Sequence, residues 1–318
     1  MTDFVPLNIV ILAGGISHER DVSLRSGRRV ADALTDEGHT CTVLDPGANL
    51  LTTLAATPVD LIWPTLHGAT GEDGALLSLL ATTGIPVLGS AGPAASLAWN
   101  KATAKELVHR AGFATPPGIA LGTETFRDLG ATSVLQHLVK AIGLPLVVKP
   151  AQGGSSQGVT IVRTPADLPR AMVDAYTYAN TALVEAYVEG TEVTVAIVDT
   201  GNGAAALPIV EIVPVDGVYS FEARYNAGET DFYTPARLSE DVSTDVAETA
   251  IAIHTLLGLR HLSRIDLMID SDGTAWFLEA NVLPGLTETS LVPQAIEAAG
   301  QTLGATYSAL ASYASTDR

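Results

Sequence analysis

Between residues 264 and 281 the chain reads Arg264-Ile-Asp266-Leu-Met-Ile-Asp270-Ser-Asp272-Gly273-Thr-Ala-Trp276-Phe-Leu-Glu279-Ala-Asn281. Two apolar runs meeting at Asp-Gly are a strong signal for an antiparallel hairpin with a two-residue turn. In that register Ser271 pairs with Thr274, Asp266 lies opposite Glu279 and Arg264 lies opposite Asn281. The two-residue period of a strand sends these last four to one face and Ile265, Leu267, Ile269, Trp276 and Leu278 to the other. Carboxylates directly opposed, with Cβ atoms about 5 Å apart, repel each other, and a cation between them relieves the repulsion. Two carboxylates and the Asn281 side-chain carbonyl form an oxygen-only donor set, which suits a hard ion such as Mg²⁺ with phosphate completing its shell. A solvated polar face on an ordinary hairpin is the competing reading, and pairing shifted by one residue would dissolve the arrangement.

Composition narrows the possible partners. The chain has 318 residues, with 35 acidic against 17 basic side chains, a net charge of −18 and 47% hydrophobic residues. That length predicts about two domains, and the apolar content argues against disorder. The acidity argues against nucleic-acid and membrane-surface partners, because no basic stripe is present. The single cysteine, Cys41, excludes an intrachain disulfide and a multi-cysteine zinc site. The apolar run from Phe4 to Ala13 follows Asp3 rather than a basic segment, so it reads as a buried strand and not a signal peptide. No apolar stretch approaches the ~18 residues of a membrane span. A soluble cytoplasmic protein is the expectation.

Along the chain, strands over residues 8–13, 40–44, 61–66 and 85–88 alternate with helices over residues 18–37 and 73–83. This pattern predicts an open, mostly parallel sheet for about the first 95 residues. Asn100 is a fitting N-cap for a helix over 101–111, closed by Gly112. Strands over 144–149 and 159–162, joined by a Gly/Ser loop, and over 182–188 and 193–198, joined by Glu189-Gly190-Thr191, change the pattern to antiparallel α+β. Boundaries near residue 100 and near residue 187 follow.

Lys149 ends an apolar strand and is followed by Gly153-Gly154-Ser155-Ser156-Gln157-Gly158. A buried ammonium needs an anion or a route to water, and such a loop can turn backbone N–H groups toward phosphate. A flexible loop beside a snorkelling lysine explains the same residues. Lys101, in the first turn of a helix, opposes the helix dipole and favours an anion nearby. No glycine precedes a lysine, which excludes a P-loop, and Gly14-Gly15 lacks the dinucleotide fingerprint.

Six blocks, in order, resemble the D-alanine–D-alanine ligases, ATP-grasp enzymes of bacterial cell-wall synthesis. They are Ala13-Gly-Gly-Ile-Ser-His-Glu19-Arg-Asp-Val-Ser23, Leu66-His67-Gly-Ala-Thr-Gly-Glu72-Asp-Gly74, Leu146-Val-Val-Lys149-Pro with its Gly/Ser loop, Phe221-Glu-Ala-Arg-Tyr225, Arg264-Ile-Asp266, and Glu279-Ala-Asn281-Val-Leu-Pro-Gly285-Leu-Thr-Glu-Thr-Ser290-Leu-Val-Pro293. The likeness spans about residues 8–300. It implies a doubly wound, parallel-sheet N-terminal substrate domain over 1–100, a central ATP-grasp lobe over 101–187 and a C-terminal ATP-grasp lobe over 188–318.

The resemblance also implies that ATP phosphorylates the carboxylate of one D-alanine and that the amine of a second attacks the acylphosphate. Lys101, Lys149, Gly154, Ser155, Ser156 and Arg224 would hold the ATP phosphates, Glu185, Ala186 and Val188 would meet the adenine, and Glu192 the ribose. Asp266, Glu279 and Asn281 would bind two Mg²⁺, for which Mn²⁺ could substitute. Glu19 would bind the first ammonium, linked to Ser155 and Tyr225, with His67 nearby. Arg264 and the Gly285 N–H would stabilise the oxyanion, and Ser290 with Leu291 would hold the second substrate. A cytoplasmic homodimer is implied as well. Arg224 replaces a common lysine, Phe221 a common tyrosine, Gly153 a frequent glutamate, and Val282-Leu283 a more polar pair. Tyr225 favours amide over ester formation. A related ligase joining other amino or hydroxy acids, and a nucleotide-binding regulator without catalysis, are the alternatives.

Overall fold

The computed structural model describes residues 5–220, 223, 224, 226 and 228–317. Phe4, Phe221, Glu222 and Tyr225 of the sequence reading lie outside the described residues. Among the described residues, three sheets carry the architecture. The first is parallel, with β1 (Asn8–Leu12) between β2 (Thr40–Leu44) and β3 (Leu61–Pro64). Helix Arg20–Asp36 connects β1 to β2, burying Val30 and Leu34 beside Ile9, Ile11 and Trp63. The expected strand at 85–88 reduces to one bridge, Ile62 with Val87. Pro86 offers no N–H to a ladder, and Gly89 at φ +110° carries the chain onward. The expected helix over 73–83 is the shorter helix Ala75–Ala81, which begins after Gly74 at φ +87°, and a separate single turn, Ala69–Glu72, precedes it.

The second sheet is antiparallel, in the order β4 (Gly118–Gly122), β7 (Thr181–Ala186), β5 (Leu146–Pro150), β6 (Thr160–Val162). It packs with helices Ala131–Ile142 and Leu168–Tyr178 around a core of its own, built on Leu146, Val148, Val162, Met172 and Val184. The third sheet runs β11 (Thr230–Tyr233), β10 (Val210–Pro214), β8 (Thr191–Val198), β12 (Leu262–Ile269), β13 (Ala275–Asn281), with β9 (Ala205–Ala206) paired to β8. One face of it shares a core with the first sheet through helices Leu291–Ala298 and Leu303–Ala314; the other covers helices Lys101–Arg110 and Glu240–Leu256.

The segment Glu189-Gly190-Thr191 is therefore not a hairpin turn between neighbours. It carries the chain from β7 in the second sheet to β8 in the third.

Candidate active site

The hairpin of β12 and β13 carries the centre of the site. Asp266 pairs with Glu279 and Arg264 with Asn281, as the sequence pattern predicts. The route to that register differs. The turn is longer, with Gly273 N–H donating to the Asp270 carbonyl at 3.1 Å and Asp270 N–H to the Thr274 carbonyl at 3.2 Å, so Leu267 pairs with Phe277 and Ile269 with Ala275. A bulge between Asp266 and Leu267 then restores the expected pairs. Two residues, Leu278 and Glu279, consequently face one. Phe277 goes into the core with no exposure, and Leu278, expected in the core, lines the cleft beside Met268.

The opposed carboxylates are neutralised from within the chain. Asp266 accepts two bonds from Arg264, from Nε at 2.8 Å and Nη2 at 2.9 Å, and further bonds from Thr194 Oγ1 at 2.5 Å and Asn281 Nδ2 at 3.1 Å. Glu279 lies 3.1 Å from Lys101 Nζ. Burial pushes its carboxyl up, but Lys101, Arg224 and Lys149 outweigh that and hold it near about 2. The donors present are oxygens only, which fits a hard divalent cation sharing them with phosphate. Among the described residues no three His, Cys, Asp or Glu side chains converge as a metal cluster.

A first and a second cavity lie against this hairpin, and Gly154, Tyr219, Arg224 and Glu279 line both. The first cavity collects Lys101, Lys149, Ser156, Glu185, Ala186, Val188, Glu192 and Asp266, with Val147, Val159, Ile161, Met268 and Leu278 as apolar walls. Asn100 caps helix Lys101–Arg110 by accepting from Thr103 N–H at 3.1 Å, which fixes Lys101 in the first turn at the cavity edge. Lys101 Nζ donates to the Gly153 carbonyl at 2.5 Å, and Arg224 Nε donates to Ser156 Oγ at 2.9 Å, so cations hold the Gly/Ser loop at both points. The Arg224 guanidinium also lies over the Tyr219 ring, 4.1 Å from its centroid. Burial, Asp266 and Glu279 push the Glu192 carboxyl up to about 7 against the pull of Arg224 and Arg264.

The second cavity collects Glu19, His67, Ser155, Arg264, Asn281, Gly285, Ser290 and Leu291. Glu19 sits at the N-terminal end of helix Arg20–Asp36 and accepts a hydrogen bond from Ser155 Oγ across the cleft. Its loop is braced by Gly14 N–H to Ser23 Oγ at 2.8 Å and Gly15 N–H to Asp45 at 2.9 Å. A Cβ on Gly14, at φ +111°, would stand 2.6 Å from the Asp45 carboxylate. A Cβ on Gly285 would meet Ser290 Oγ at 2.8 Å, so this glycine lets the serine approach the backbone. His67 is buried with Nε2 unbonded. Burial, with help from Arg264, holds its imidazole below the usual value against the pull of Glu19. Glu72, 8% exposed, accepts from Gly68 N–H at 2.8 Å. Burial and Glu19 push its carboxyl up to about 8, with Gly68 N–H and Lys101 opposing.

All the sequence-predicted site residues that are described thus line one of the two cavities. Tyr225 lies outside the described residues. Sequence reasoning missed Thr194, Tyr219, Lys105 and a role for Glu72. Lys105 had a signal, four residues after Lys101 on one helix face; Thr194 meets Asp266 only through the pairing of β8 with β12.

The D-ala D-ala ligase C-terminus family matches residues 107–311. A D-alanine--D-alanine ligase of Bordetella petrii is 39% identical over 290 residues, covering 91% of this chain and 86% of that protein. The crystal structure of the D-alanine--D-alanine ligase of Bacillus anthracis complexed with ATP matches with a TM-score of 0.78 at 26% identity, over 97% of this chain and 96% of that one. The VanG D-Ala:D-Ser ligase of Enterococcus faecalis shares the fold, with a TM-score of 0.84 at 24% identity over 98% of this chain and 100% of that one. On sequence and fold together, with a parallel-sheet unit followed by two antiparallel lobes around a carboxylate hairpin, the chain belongs to the D-alanine–D-alanine ligase family.

Proposed function

We propose that the protein joins two D-alanines to D-alanyl-D-alanine for peptidoglycan precursor synthesis, consuming ATP and releasing ADP and phosphate. One observation carries this reading: a cavity rich in cations and apolar walls meets a cavity with Glu19, Arg264 and Ser290, and the carboxylate hairpin is their common wall. The first would take ATP and the second the two amino acids. Domains over 1–100, 101–187 and 188–318 would supply, in turn, the first substrate's ammonium site, the phosphate loop, and the metal and second-substrate sites. The protein would work as a cytoplasmic homodimer; among the described residues no helix is long and apolar enough to cross a membrane.

In the first step a carboxylate oxygen of one D-alanine bonds to the γ-phosphorus as the bond to ADP breaks. Lys101, Lys149, Arg224, Ser156 and the Gly154 amide would hold the phosphates, Glu185, Ala186 and Val188 the adenine, and Glu192 the ribose. Asp266, Glu279 and Asn281 would hold two Mg²⁺, or Mn²⁺, which neutralise phosphate charge when bound. Glu19, oriented by the Ser155 hydroxyl, would anchor the first ammonium, with Tyr225 completing that link and His67 beside it. In the second step the amine of the other D-alanine, placed by Ser290 and Leu291, attacks the acylphosphate carbon. Arg264 and the Gly285 N–H would stabilise the oxyanion until phosphate leaves. Positioning and charge neutralisation do most of the work in such transfers.

Phosphate release with ATP, Mg²⁺ and a panel of D- and L-amino and hydroxy acids tests the proposal. D-alanine alone should support turnover. Strong turnover with another acid and none with D-alanine would assign the chain to a related ligase.

A further inference from the structure

Behind the first cavity, three nearly fully buried charges meet. Glu185 on β7 sets Oε1 2.5 Å from Lys149 Nζ on β5 and Oε2 2.7 Å from Lys105 Nζ. Lys149 and Glu185 line the cleft, whereas Lys105 lies behind them. Lys105 also belongs to a different unit. Its helix, Lys101–Arg110, packs Ala104 and Val108 into the core of the third sheet, whereas β5 and β7 build the separate core of the second.

One buried glutamate needs one counter-ion. A second ammonium adds its own desolvation and repels the first. The strain is visible at Lys105: burial lowers its pKa to about 8 although Glu185 pulls it up, and Lys149 adds to the lowering. Its contact with Oε2 lacks hydrogen-bond alignment, so both atoms are buried without a hydrogen-bond partner. The three charges carry one net positive charge, which Glu279 on the hairpin meets only in part because it also faces Lys101 and Arg224, so a further anion is favoured where one can reach the cluster. The cleft brings that anion to Lys149 alone.

With Lys105 engaging Oε2, only Oε1 is left for Lys149, whose ammonium keeps its charge toward the cleft. Were Lys105 absent, both carboxylate oxygens would turn on Lys149 and neutralise it before a phosphate arrived. We propose that Lys105 is a positioning residue for nucleotide binding, holding Glu185 from behind so that Lys149 stays aimed at the phosphates, and serving as the counter-ion of Glu185 once a phosphate draws Lys149 away. This rests on the reading of the first cavity as an ATP site.

A double-mutant cycle on the full chain separates this role from a plain charge effect. Lys105→Met should raise the KM for ATP about tenfold, within the range of coupled neighbours, and leave the KM for D-alanine within about twofold. In a Glu185→Gln background, where Lys149 cannot be neutralised, removing Lys105 should change the KM for ATP less than about threefold. Equal losses in the two backgrounds would mean that Lys105 acts directly on the nucleotide, and no loss in either would mean it does nothing; both overturn the proposal. If Lys105→Met alone does not fold, Lys105→Gln takes its place in both backgrounds, and the same outcomes uphold or overturn the proposal. Titration calorimetry of the unmutated protein with ATP and Mg²⁺ checks the underlying reading separately, since absence of binding there would remove the ATP site itself.

Discussion

Glu72→Gln should stabilise the ligand-free protein, and by more at neutral than at acid pH. The Glu72 carboxyl is buried and held near about 8, against an ordinary 4.5. A group raised on folding contributes stability that is complete below its unfolded pKa and is lost as pH rises through its folded one. At 1.36 kcal/mol per pH unit, the loss is about 0.8 kcal/mol at pH 5 and about 3.4 kcal/mol at pH 7. Glutamine is neutral throughout, and its carbonyl can still accept from Gly68 N–H, the bond made at 2.8 Å by Glu72. The difference between mutant and parent should therefore grow by about 2.5 kcal/mol from pH 5 to pH 7. With an unfolding entropy of about 2.1 cal/mol/K per residue, that corresponds to about 4 °C in Tm for a chain of this length. Thermal unfolding followed by circular dichroism at pH 5, 6, 7 and 8 measures it. A Tm difference that is flat or shrinks as pH rises would show that Glu72 is ionised in the folded state, and would refute the burial argument.

Other residues give sharper single outcomes. Glu279→Gln should abolish phosphate release while leaving the circular dichroism spectrum unchanged, because a carboxylate beside Lys101 at 3.1 Å becomes a neutral amide; near-normal turnover would dismiss the metal assignment. Phe277→Ala should lower stability by about 3–5 kcal/mol, since the ring is wholly buried beside the bulge; a urea midpoint within experimental error of the parent would place the ring elsewhere. Gly285→Ala should raise the KM for D-alanine about tenfold or more, because its Cβ would stand 2.8 Å from Ser290 Oγ and push that hydroxyl aside, and leave the KM for ATP within about twofold.

Much of the fold was legible because it is written in local spacing. The alternation of β1, the helix after it, β2 and β3 follows from apolar runs, glycine stops and the two periods of side-chain direction. The cap at Asn100 was readable for the same reason, since Asn100 and Thr103 are three residues apart. The turn after Asp270 was not: Asp-Gly favours a two-residue connection, but Asp270 Oδ1 accepts from both Asp272 N–H at 3.0 Å and Thr274 N–H at 2.9 Å, which supports the longer turn. The bulge then compensates, so Asp266 still pairs with Glu279 while Leu278 lines the cleft rather than the core.

The sequence alone singled out the side chains that the proposed function assigns to a polyphosphate in an acidic chain: the carboxylate hairpin, the lysine-tipped strand, the Gly/Ser loop and their order along six blocks. Only the tertiary structure decided how their charges are balanced. Arg264 with Asp266 and Lys101 with Glu279 neutralise the hairpin, Thr194 reaches it from β8, and Lys105 and Lys149 meet on Glu185 from two differently packed units. Each of these contacts except Arg264 with Asp266 joins residues distant along the chain. Their partners are set by which sheets share a core, and a one-dimensional pattern of period 2 or 3.6 records which face a side chain takes but not what stands opposite it.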